Sequence, residues 1–127
     1  MNRKVVFRYR SPPNPPLLPV IYQDEFRIVR WGNPQGHSRH LSTTGTVHVK
    51  DLAKPVWKRL KAQEVIIQAQ ALLHRNVWIT VIECIRGVCV LDEHGIATAY
   101  MVVEPSTDYY QSMTKSWVMP RLVGEVI

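Results

Sequence analysis

The fold class of this chain is set by the stretch LLPVIYQDEFRIVRW, residues 17–31. Leu17–Tyr22 and Glu25–Trp31 are both rich in β-branched and aromatic residues, which favour strands. The polar pair Gln23-Asp24 separates the two runs, and two polar residues between such runs are typical of a β-hairpin. We therefore predict two antiparallel strands here, and the rest of the chain is interpreted around them.

Downstream runs of the same kind predict further strands. Val77–Ile85 and Val88–Leu91 are separated by Arg86-Gly87, which predicts a second hairpin, and the polar residues 92–95 predict a turn into a strand over Ile96–Val103. Weaker runs predict strands at Lys4–Tyr9, Glu64–Leu73 and Pro120–Val126. The middle one of these three is ambiguous, because its alanines and glutamines favour a helix while its alternation favours a strand.

Two short helices complete the predicted elements. Asp51 is suited to cap a helix that runs to Ala62, with Pro55 in its first turn, where a missing N–H matters least. Its buried stripe is predicted at Leu52, Val56 and Leu60. A second helix is predicted from Pro105 to about Met113. The whole pattern predicts a single α+β domain over residues 1–127, with seven or eight short, mainly antiparallel strands and two short helices.

Two segments are predicted to be loops. Residues 11–16 contain four prolines in six residues, and proline cannot donate to a strand ladder, so this segment is expected to be an extended surface connection. Residues 32–45 combine Gly, Asn, Pro, Ser and Thr with two histidines and show no hydrophobic period. A loop of that length in a small domain is typically functional or mobile.

Composition excludes several classes of protein. The 127 residues are 46% hydrophobic and 20% charged, which is ordinary for a folded domain and unlike a disordered chain. No apolar run reaches the roughly 18 residues of a membrane span, and two cysteines cannot build a secreted disulfide framework. The basic N-terminus is not followed by a signal-peptide core, so we expect a cytoplasmic protein.

The positive charge is concentrated in the first half of the chain. Residues 1–61 hold twelve Lys and Arg against three Asp and Glu, a balance of +9, whereas residues 62–127 hold four against seven, a balance of −3. The cations of the first half stand beside aromatic residues in three places, 7–10, 30–31 and 57–59. Cations neutralise phosphates and flat rings stack on unpaired bases, so the pattern indicates a nucleic-acid partner; a basic face that only meets solvent is the alternative.

The candidate binding residues follow from this pattern. Trp31 is expected to be an exposed indole that stacks on a base, because it adjoins the long polar loop. Residues Lys54 and Lys58 lie on one face of the predicted helix, where phosphate contact is the hypothesis and solvation is the ordinary alternative. The full candidate set is Arg8, Arg10, Arg30, Trp31, Asn33, Arg39, Lys54 and Lys58.

Two stretches of the chain are similar to the SOS-response-associated peptidase (SRAP) family. Leu18-Pro19-Val20-Ile21, followed by Asp24 to Ile28 and Arg30-Trp31-Gly32, resembles the family segment that ends in its Arg-Trp-Gly turn. The run from Tyr100 through a short helix to Met119-Pro120 resembles its last shared block. The resemblance covers about half of the chain. It implies a mainly β fold that grips single-stranded DNA carrying abasic sites, to which family members bond through an N-terminal cysteine.

The chain departs from the family at the positions that carry its chemistry. Asn2 stands where the family has the reactive cysteine, Ser116 falls near the expected histidine, and Val118 replaces the adjacent arginine. We therefore expect no covalent chemistry. The expected protein is a degenerate SRAP relative of phage or mobile-element origin.

Other chemical sites have weaker support. Were Arg86-Gly87 a turn, Cys84 would face Cys89 closely enough for a disulfide, but two buried, reduced thiols are what we expect in a reducing compartment. His37 and His40 are a close pair of histidines, without cysteines at matching spacing, so no metal is predicted. No phosphate-loop spacing is present, and no cofactor is predicted.

These observations lead to one function hypothesis and two rivals. The leading hypothesis is a non-catalytic domain that binds single-stranded DNA. Its first rival is a protein-interaction or homo-oligomeric assembly module whose β edges and Pro-rich loop meet a partner while the positive charge is incidental. The second rival is an enzyme that uses His40 or His94, which requires those histidines to converge with a carboxylate in one pocket.

Overall fold

The computed structural model describes residues 7–9, 15–81 and 84–123. In these residues the chain forms nine strands, two α-helices and a 3₁₀ turn at Val49–Ala53. The strands are β1 Leu17–Tyr22, β2 Glu25–Trp31, β3 Thr46–His48, β4 Gln63–Ile67, β5 Ala71–His74, β6 Val77–Thr80, β7 Ile85–Leu91, β8 Ala97–Pro105 and β9 Val118–Pro120. The helices are α1 Pro55–Arg59 and α2 Asp108–Thr114.

Five of the strands close into a small barrel in the order β2-β1-β4-β7-β8. The closing pair is parallel, with Arg30 opposite Thr98 and Trp31 opposite Ala99. β8 is nine residues long, so beyond the barrel it also pairs with β3 in parallel and with β9 in antiparallel orientation. β5 and β6 form a separate two-stranded sheet. The β-rich, single-domain prediction is confirmed, but the sheet is mixed, because the closure of the barrel depends on parallel pairs.

Two hairpins turn through residue pairs with left-handed backbone. The predicted β1–β2 hairpin is confirmed with its bounds, and Gln23 and Asp24 have φ of 51° and 63°. Positive φ at both central residues is the type I′ geometry that matches the twist of two paired strands. Arg75 and Asn76 have φ of 49° and 65° and join β5 to β6 in the same way. The segment 64–73, expected to be one strand, is therefore divided between β4 and β5.

The second predicted hairpin is wrong. β7 runs straight through Arg86-Gly87, and Gly87 lies opposite both Val65 on β4 and Met101 on β8. A Cβ at Gly87 would lie 2.8 Å from the Ile67 side chain and 3.0 Å from a backbone oxygen. Glycine is therefore present because neighbouring atoms approach closely, and not because the chain turns.

Because β7 does not turn at Arg86-Gly87, Cys84 and Cys89 do not face each other across a hairpin. Cys89 lies within β7, opposite Gln63 and Ala99, and Cys84 precedes the strand. Both thiols are free. Burial raises the pKa of the Cys89 thiol, so it is an unreactive, protonated part of the barrel interior.

The first helical segment is broken in two rather than continuous. His48, and not Asp51, caps the 3₁₀ turn through its ring Nδ1, which accepts from the Lys50 N–H at 3.3 Å. Lys54 is extended, as a residue before proline tends to be, and Pro55 then begins α1. The predicted stripe is confirmed at Leu52 and Leu60, which pack partly buried against the apolar cluster, and is wrong at Val56, which is 39% exposed while Trp57 is buried. The second helix begins at Asp108, where the Thr107 side chain caps it.

The remaining predictions concern the ends of the chain. Residues 7–9 are not in a strand, and 4–6 lie outside the described residues, as do 11–14 of the Pro-rich loop and 124–126 of the last predicted strand. β9 ends at Pro120, and Leu122 adds an isolated bridge to Ile85. In the described ranges there is no helix with the length and apolar character to span a membrane.

The barrel has an apolar interior and two different outer faces. Its interior is filled by side chains such as Val20, Ile67, Ile85 and Ala99. On the outer side of β7 and β8 a second cluster is covered by the chain itself, and its members are Leu41, Val47, Trp57, Val88, Val90, Tyr100 and Val102. We call this side the covered face. The covering layer comprises the 32–45 loop, β3 and α1, so it positions the basic residues of the first half.

Candidate nucleic-acid interface

Three parts of the chain are hydrogen-bonded to one short loop segment, Ser42–Gly45. The Tyr9 hydroxyl donates to the Thr43 carbonyl oxygen at 3.0 Å, and the Tyr100 hydroxyl donates to that of Ser42 at 2.6 Å. The Trp31 indole N–H donates to the Gly45 carbonyl at 2.9 Å. The segment is thereby fixed to the N-terminal chain, to the end of β2 and to the middle of β8.

Aromatic contacts extend this junction on both sides. The rings of Tyr9 and Trp31 meet edge to face with centroids 5.0 Å apart. Trp57 and Tyr100 meet in the same way at 5.2 Å, so α1 is joined through Tyr100 to Ser42. Two of the three places where the sequence puts cations beside aromatic residues therefore bond directly to residues 42–45, through Tyr9 and Trp31, and the third is joined to them indirectly through Tyr100.

The cations at this junction are free to meet an external anion. Arg8, Lys58 and Arg59 are exposed and Arg30 is partly buried. Within the part of the chain that the structure describes, none of the four makes an ion pair. Ser42, Thr43 and Thr44 of the loop are exposed as well. We call this surface the basic face, consisting of Arg8, Arg30, Lys58 and Arg59 around Ser42–Thr44.

Trp31 does not have the exposure expected of it. Its side chain is partly buried against the barrel core, and its indole N–H is already bonded to Gly45. A base could therefore reach only the remaining edge of the ring. The fully exposed tryptophans are Trp78 and Trp117, at 61% and 79%, and neither belongs to the basic face.

Asn33 is a structural residue and not a binding residue. It is 0% exposed, its amide nitrogen donates to the carbonyls of Ser38 and Leu41 at 2.9 and 3.0 Å, and its oxygen accepts from the Ser38 N–H. These bonds hold the 32–45 loop in its folded path. Asn33 is therefore left out of the basic face.

The three other candidate cations are not included in the basic face. Lys54 pairs with Asp51 at 3.2 Å, which occupies its charge. Arg39 is exposed, and its backbone N–H donates to a carboxylate oxygen of Glu93. Arg10 lies outside the described residues.

The turn between β7 and β8 holds the long loop through two carboxylates. Glu93 accepts from the Ser38 hydroxyl at 2.6 Å and from the Arg39 N–H at 3.1 Å. These bonds, that from Ser38 above all, lower the pKa of Glu93 to about 2. Neither contact was indicated by the sequence pattern, because the partners are more than fifty residues apart.

Asp92 beside it is a buried carboxylate. Its Oδ1 accepts from the backbone N–H groups of His94 and Ile96 at 2.8 and 2.9 Å, which shapes the turn. Its Oδ2 lies 3.5 Å from Nε2 of His37, and neither of these two atoms has a hydrogen-bond partner in the described chain. The pair joins the loop to the turn but has no adjacent nucleophile in hydrogen-bond contact, so it shows no catalytic triad.

The histidines proposed for an enzyme do not share a pocket with a carboxylate. His94 lies 3.5 Å from Glu93 but its side chain is 61% exposed, and His40 is also exposed. A surface cavity of about 520 Å³ lies outside β1, β4 and β7, and its lining, which includes Ile21, Ile66 and Arg86, contains no histidine. Among residues 7–9, 15–81 and 84–123, no three His, Cys, Asp or Glu side chains are grouped as metal ligands.

Ser116, the position that the family resemblance aligns with a histidine, closes a local turn. It is 3% exposed, and its hydroxyl donates to the Val118 carbonyl at 2.8 Å. Trp31 lies beside Ala99 at one end of β8, whereas Val118 lies beside Pro105 at the other. Six residues of strand separate these levels by roughly 20 Å, so Trp31 and Ser116 do not line one groove.

Comparisons with known proteins identify the fold but no family. No family model matches the chain, and no curated protein matches it. A crystal structure of a protein from Bacteroides thetaiotaomicron, determined by a structural genomics consortium, superposes with a TM-score of 0.66 at 16% sequence identity. The match covers 87% of this chain and 60% of that one, so this chain spans less than two thirds of that protein's length. The likeness shows a shared fold.

Proposed function

We propose that this domain binds single-stranded DNA without catalysis, through the basic face. The observation that supports the proposal is that Tyr9 and Trp31 bond directly to Thr43 and Gly45, while Trp57 is joined to Ser42 through Tyr100. Arg8, Arg30 and Lys58 are far apart in sequence, and each is the sequence neighbour of one of the aromatic residues Tyr9, Trp31 and Trp57. A polyanion laid along this face would meet several unpaired cations and the exposed hydroxyls of the loop.

The single-stranded form is favoured by the shape of the face. It is built from a loop and the five-residue helix α1, and it presents neither a long helix nor a two-stranded ribbon that could enter a major groove. Phosphate contacts would therefore dominate binding, with little base preference. Stacking would be limited to the accessible edges of Tyr9 and Trp31.

The resemblance to the SRAP family is a second, independent support. It implies the same class of ligand for a mainly β domain, and we propose that this chain is a degenerate relative that has kept non-covalent binding. Asn2 has no thiol, and Ser116 already bonds to Val118, so the proposed binding needs no covalent step.

Fluorescence anisotropy with a labelled single-stranded oligonucleotide, at several salt concentrations, tests the proposal. We expect affinity to fall steeply with salt, because bound cations are released from the strand. Each of the variants R8A, R30A and K58A should reduce the slope of log K against log salt by roughly 0.7.

The matched control is R75A, which removes an exposed arginine from the turn of the separate β5–β6 sheet, a sheet that contributes no residue to the basic face. It should change the slope by much less. A duplex of the same sequence should bind more weakly than the single strand. Absent binding, binding insensitive to salt, or an equal loss in R75A would contradict the proposal.

A further inference from the structure

One edge of the barrel is open along the first part of β2. In the β1–β2 hairpin, Tyr22 and Glu25 flank the two-residue turn and lie directly opposite each other. At the other end of the hairpin the Trp31 N–H donates to the Pro16 carbonyl, in the same register. Residues 25, 27, 29 and 31 therefore face β1 with their backbone groups, while Phe26, Ile28 and Arg30 face the other edge. β8 pairs only with Arg30 and Trp31.

The open edge presents unpaired backbone groups and apolar side chains together. In the described chain no backbone partner meets the N–H or C=O of Phe26 or Ile28 on that edge. Their side chains are 60% and 55% exposed. Across the strands Phe26 adjoins Ile21, which in turn adjoins Ile66, so the apolar surface is continuous. An open edge of this kind is a template for pairing with another strand. β2 has no lysine, proline or bulge to prevent it, so its charged residues Glu25 and Arg27 decide whether a partner can pair there.

The charged residues on either side of Phe26 are complementary to the same residues in a second copy of the strand. Glu25 and Arg27 are both exposed on the other face of β2 and bond to each other at 2.8 Å. When two copies of β2 lie antiparallel with the two-fold axis at Phe26, Glu25 of each copy lies directly opposite the partner's Arg27. A register centred on Arg27 would instead place two arginines opposite each other, which is unfavourable.

We propose that two copies of this chain associate through their β2 edges, antiparallel and centred on Phe26. In this arrangement the N–H and C=O of Phe26 exchange two hydrogen bonds with the same groups of the partner, and the two rings are adjacent. Two Glu–Arg pairs flank the rings. Such a contact is isologous and closes as a dimer. It goes beyond the proposed DNA binding and does not depend on it.

Charge exchange tests the register. The full chain is examined by analytical ultracentrifugation over a wide concentration range, with circular dichroism as the check of folding. The wild type should dimerise. E25R and R27E each convert both attractive pairs into repulsive ones, so each should raise the dimer dissociation constant about tenfold or more. An equimolar mixture of E25R and R27E should dimerise again, because the attractive pairs return between unlike chains.

Two further variants separate the edge from general stickiness. F26P removes the outward N–H while leaving the bonds to β1 intact, and it should abolish the dimer. W78K changes another exposed aromatic residue, on the separate β5–β6 sheet, and should leave the dimer unchanged. A wild type that is monomeric throughout, as would be found if the edge serves an extended segment of another protein, would overturn the proposal. Dimerisation unaffected by E25R, or a mixture that stays monomeric, would overturn it as well.

Discussion

The two outer faces of the barrel are both apolar, yet the residues that the structure describes cover only one of them. On the covered face Val88, Val90 and Tyr100 lie beneath Trp57 and the loop, and they are buried. On the outer side of β1, β4 and the first part of β2, residues 25–28, which we call the bare face, Phe26 and Ile28 remain more than half exposed. The difference shows that the hydrophobic pattern of a strand identifies its apolar side. The pattern does not indicate whether another part of the chain will cover that side.

The largest effect is expected from removal of the covering indole. W57A should destabilise the domain by about 3–5 kcal/mol, because a large buried ring is lost and the cavity over Tyr100 is only partly refilled. The exposed ring of the bare face supplies the control, since F26A, measured at a concentration low enough to keep the chain monomeric, should change the free energy of unfolding by about 0.5 kcal/mol or less. Urea denaturation measures both. Similar losses in the two variants would remove the distinction between the faces.

The next largest effect is expected at the buried amide of the covering loop. N33A leaves the carbonyls of Ser38 and Leu41 and the N–H of Ser38 without their partner. Unpaired buried groups of this kind cost about 1–3 kcal/mol each when no water replaces the bond. We expect a loss of about 2–4 kcal/mol in urea denaturation. A loss below about 0.5 kcal/mol, the usual value for a surface substitution, would show that the loop is held by other contacts.

A smaller, pH-dependent effect is expected where β5–β6 packs on α2, a region that is covered on one side only. His74 Nδ1 lies 2.5 Å from the hydroxyl of Tyr110, and burial, aided by Arg75, lowers the pKa of His74. Burial also raises the pKa of Tyr110 to about 12, so its hydroxyl stays protonated.

The folded state of this region therefore disfavours charged His74. The stabilising contribution of neutral His74 is complete above its ordinary pKa of 6.5 and declines as the pH falls through and below that value. The melting temperature of the wild type should fall between pH 8 and pH 5.5 more than that of H74Q. H40Q, which changes an exposed histidine of the loop, should keep the wild-type dependence. Identical profiles for H74Q and wild type would contradict this assignment.

The smallest effect is expected from the carboxylate that tethers the loop to the covered face. The folded pKa of Glu93, about 2, is below its ordinary value of 4.5, so its contribution to stability is present above pH 4.5 and is lost as the pH falls toward 2. E93Q should lower the melting temperature at pH 7, where the charged carboxylate contributes, and flatten the profile as the pH falls from 4.5 toward 2. E104Q, at a weaker 3.7 Å contact with Arg121, is the control. A profile for E93Q as steep as that of wild type would exclude the tether.

Local pattern predicted the elements that local chemistry determines. The bounds of β1 and β2 and the turn at 92–95 follow from alternation and polar turn residues, and they are confirmed. Arg86-Gly87 was misleading because glycine occurs both in turns and where neighbouring atoms leave no room for a side chain. The second reason applies here, since the Ile67 side chain occupies the space that a Cβ at Gly87 would need. The second two-residue hairpin turn is Arg75-Asn76, which joins β5 to β6 and contains no glycine.

The candidate site was predictable only in part, for a similar reason. The three cation–aromatic segments are visible in the sequence, but their meeting at Ser42–Gly45 depends on Tyr100, which is 58 residues from Ser42. Exposure was not predictable either. Trp31 and Asn33 adjoin a polar loop, yet that loop folds over them, because Gly45 and Ser38 supply their hydrogen-bond partners.

The central claim is that the covered face carries a built binding surface for a polyanion, and NMR tests it most directly. A single-stranded oligonucleotide is titrated into ¹⁵N-labelled protein, and amide shifts are followed residue by residue. We predict that the largest shifts occur at Arg8, Arg30, Thr43, Thr44 and Lys58, while Phe26, Ile28 and Ile66 of the bare face stay unchanged. Shifts centred on the bare face, or scattered evenly over both faces, would contradict the claim.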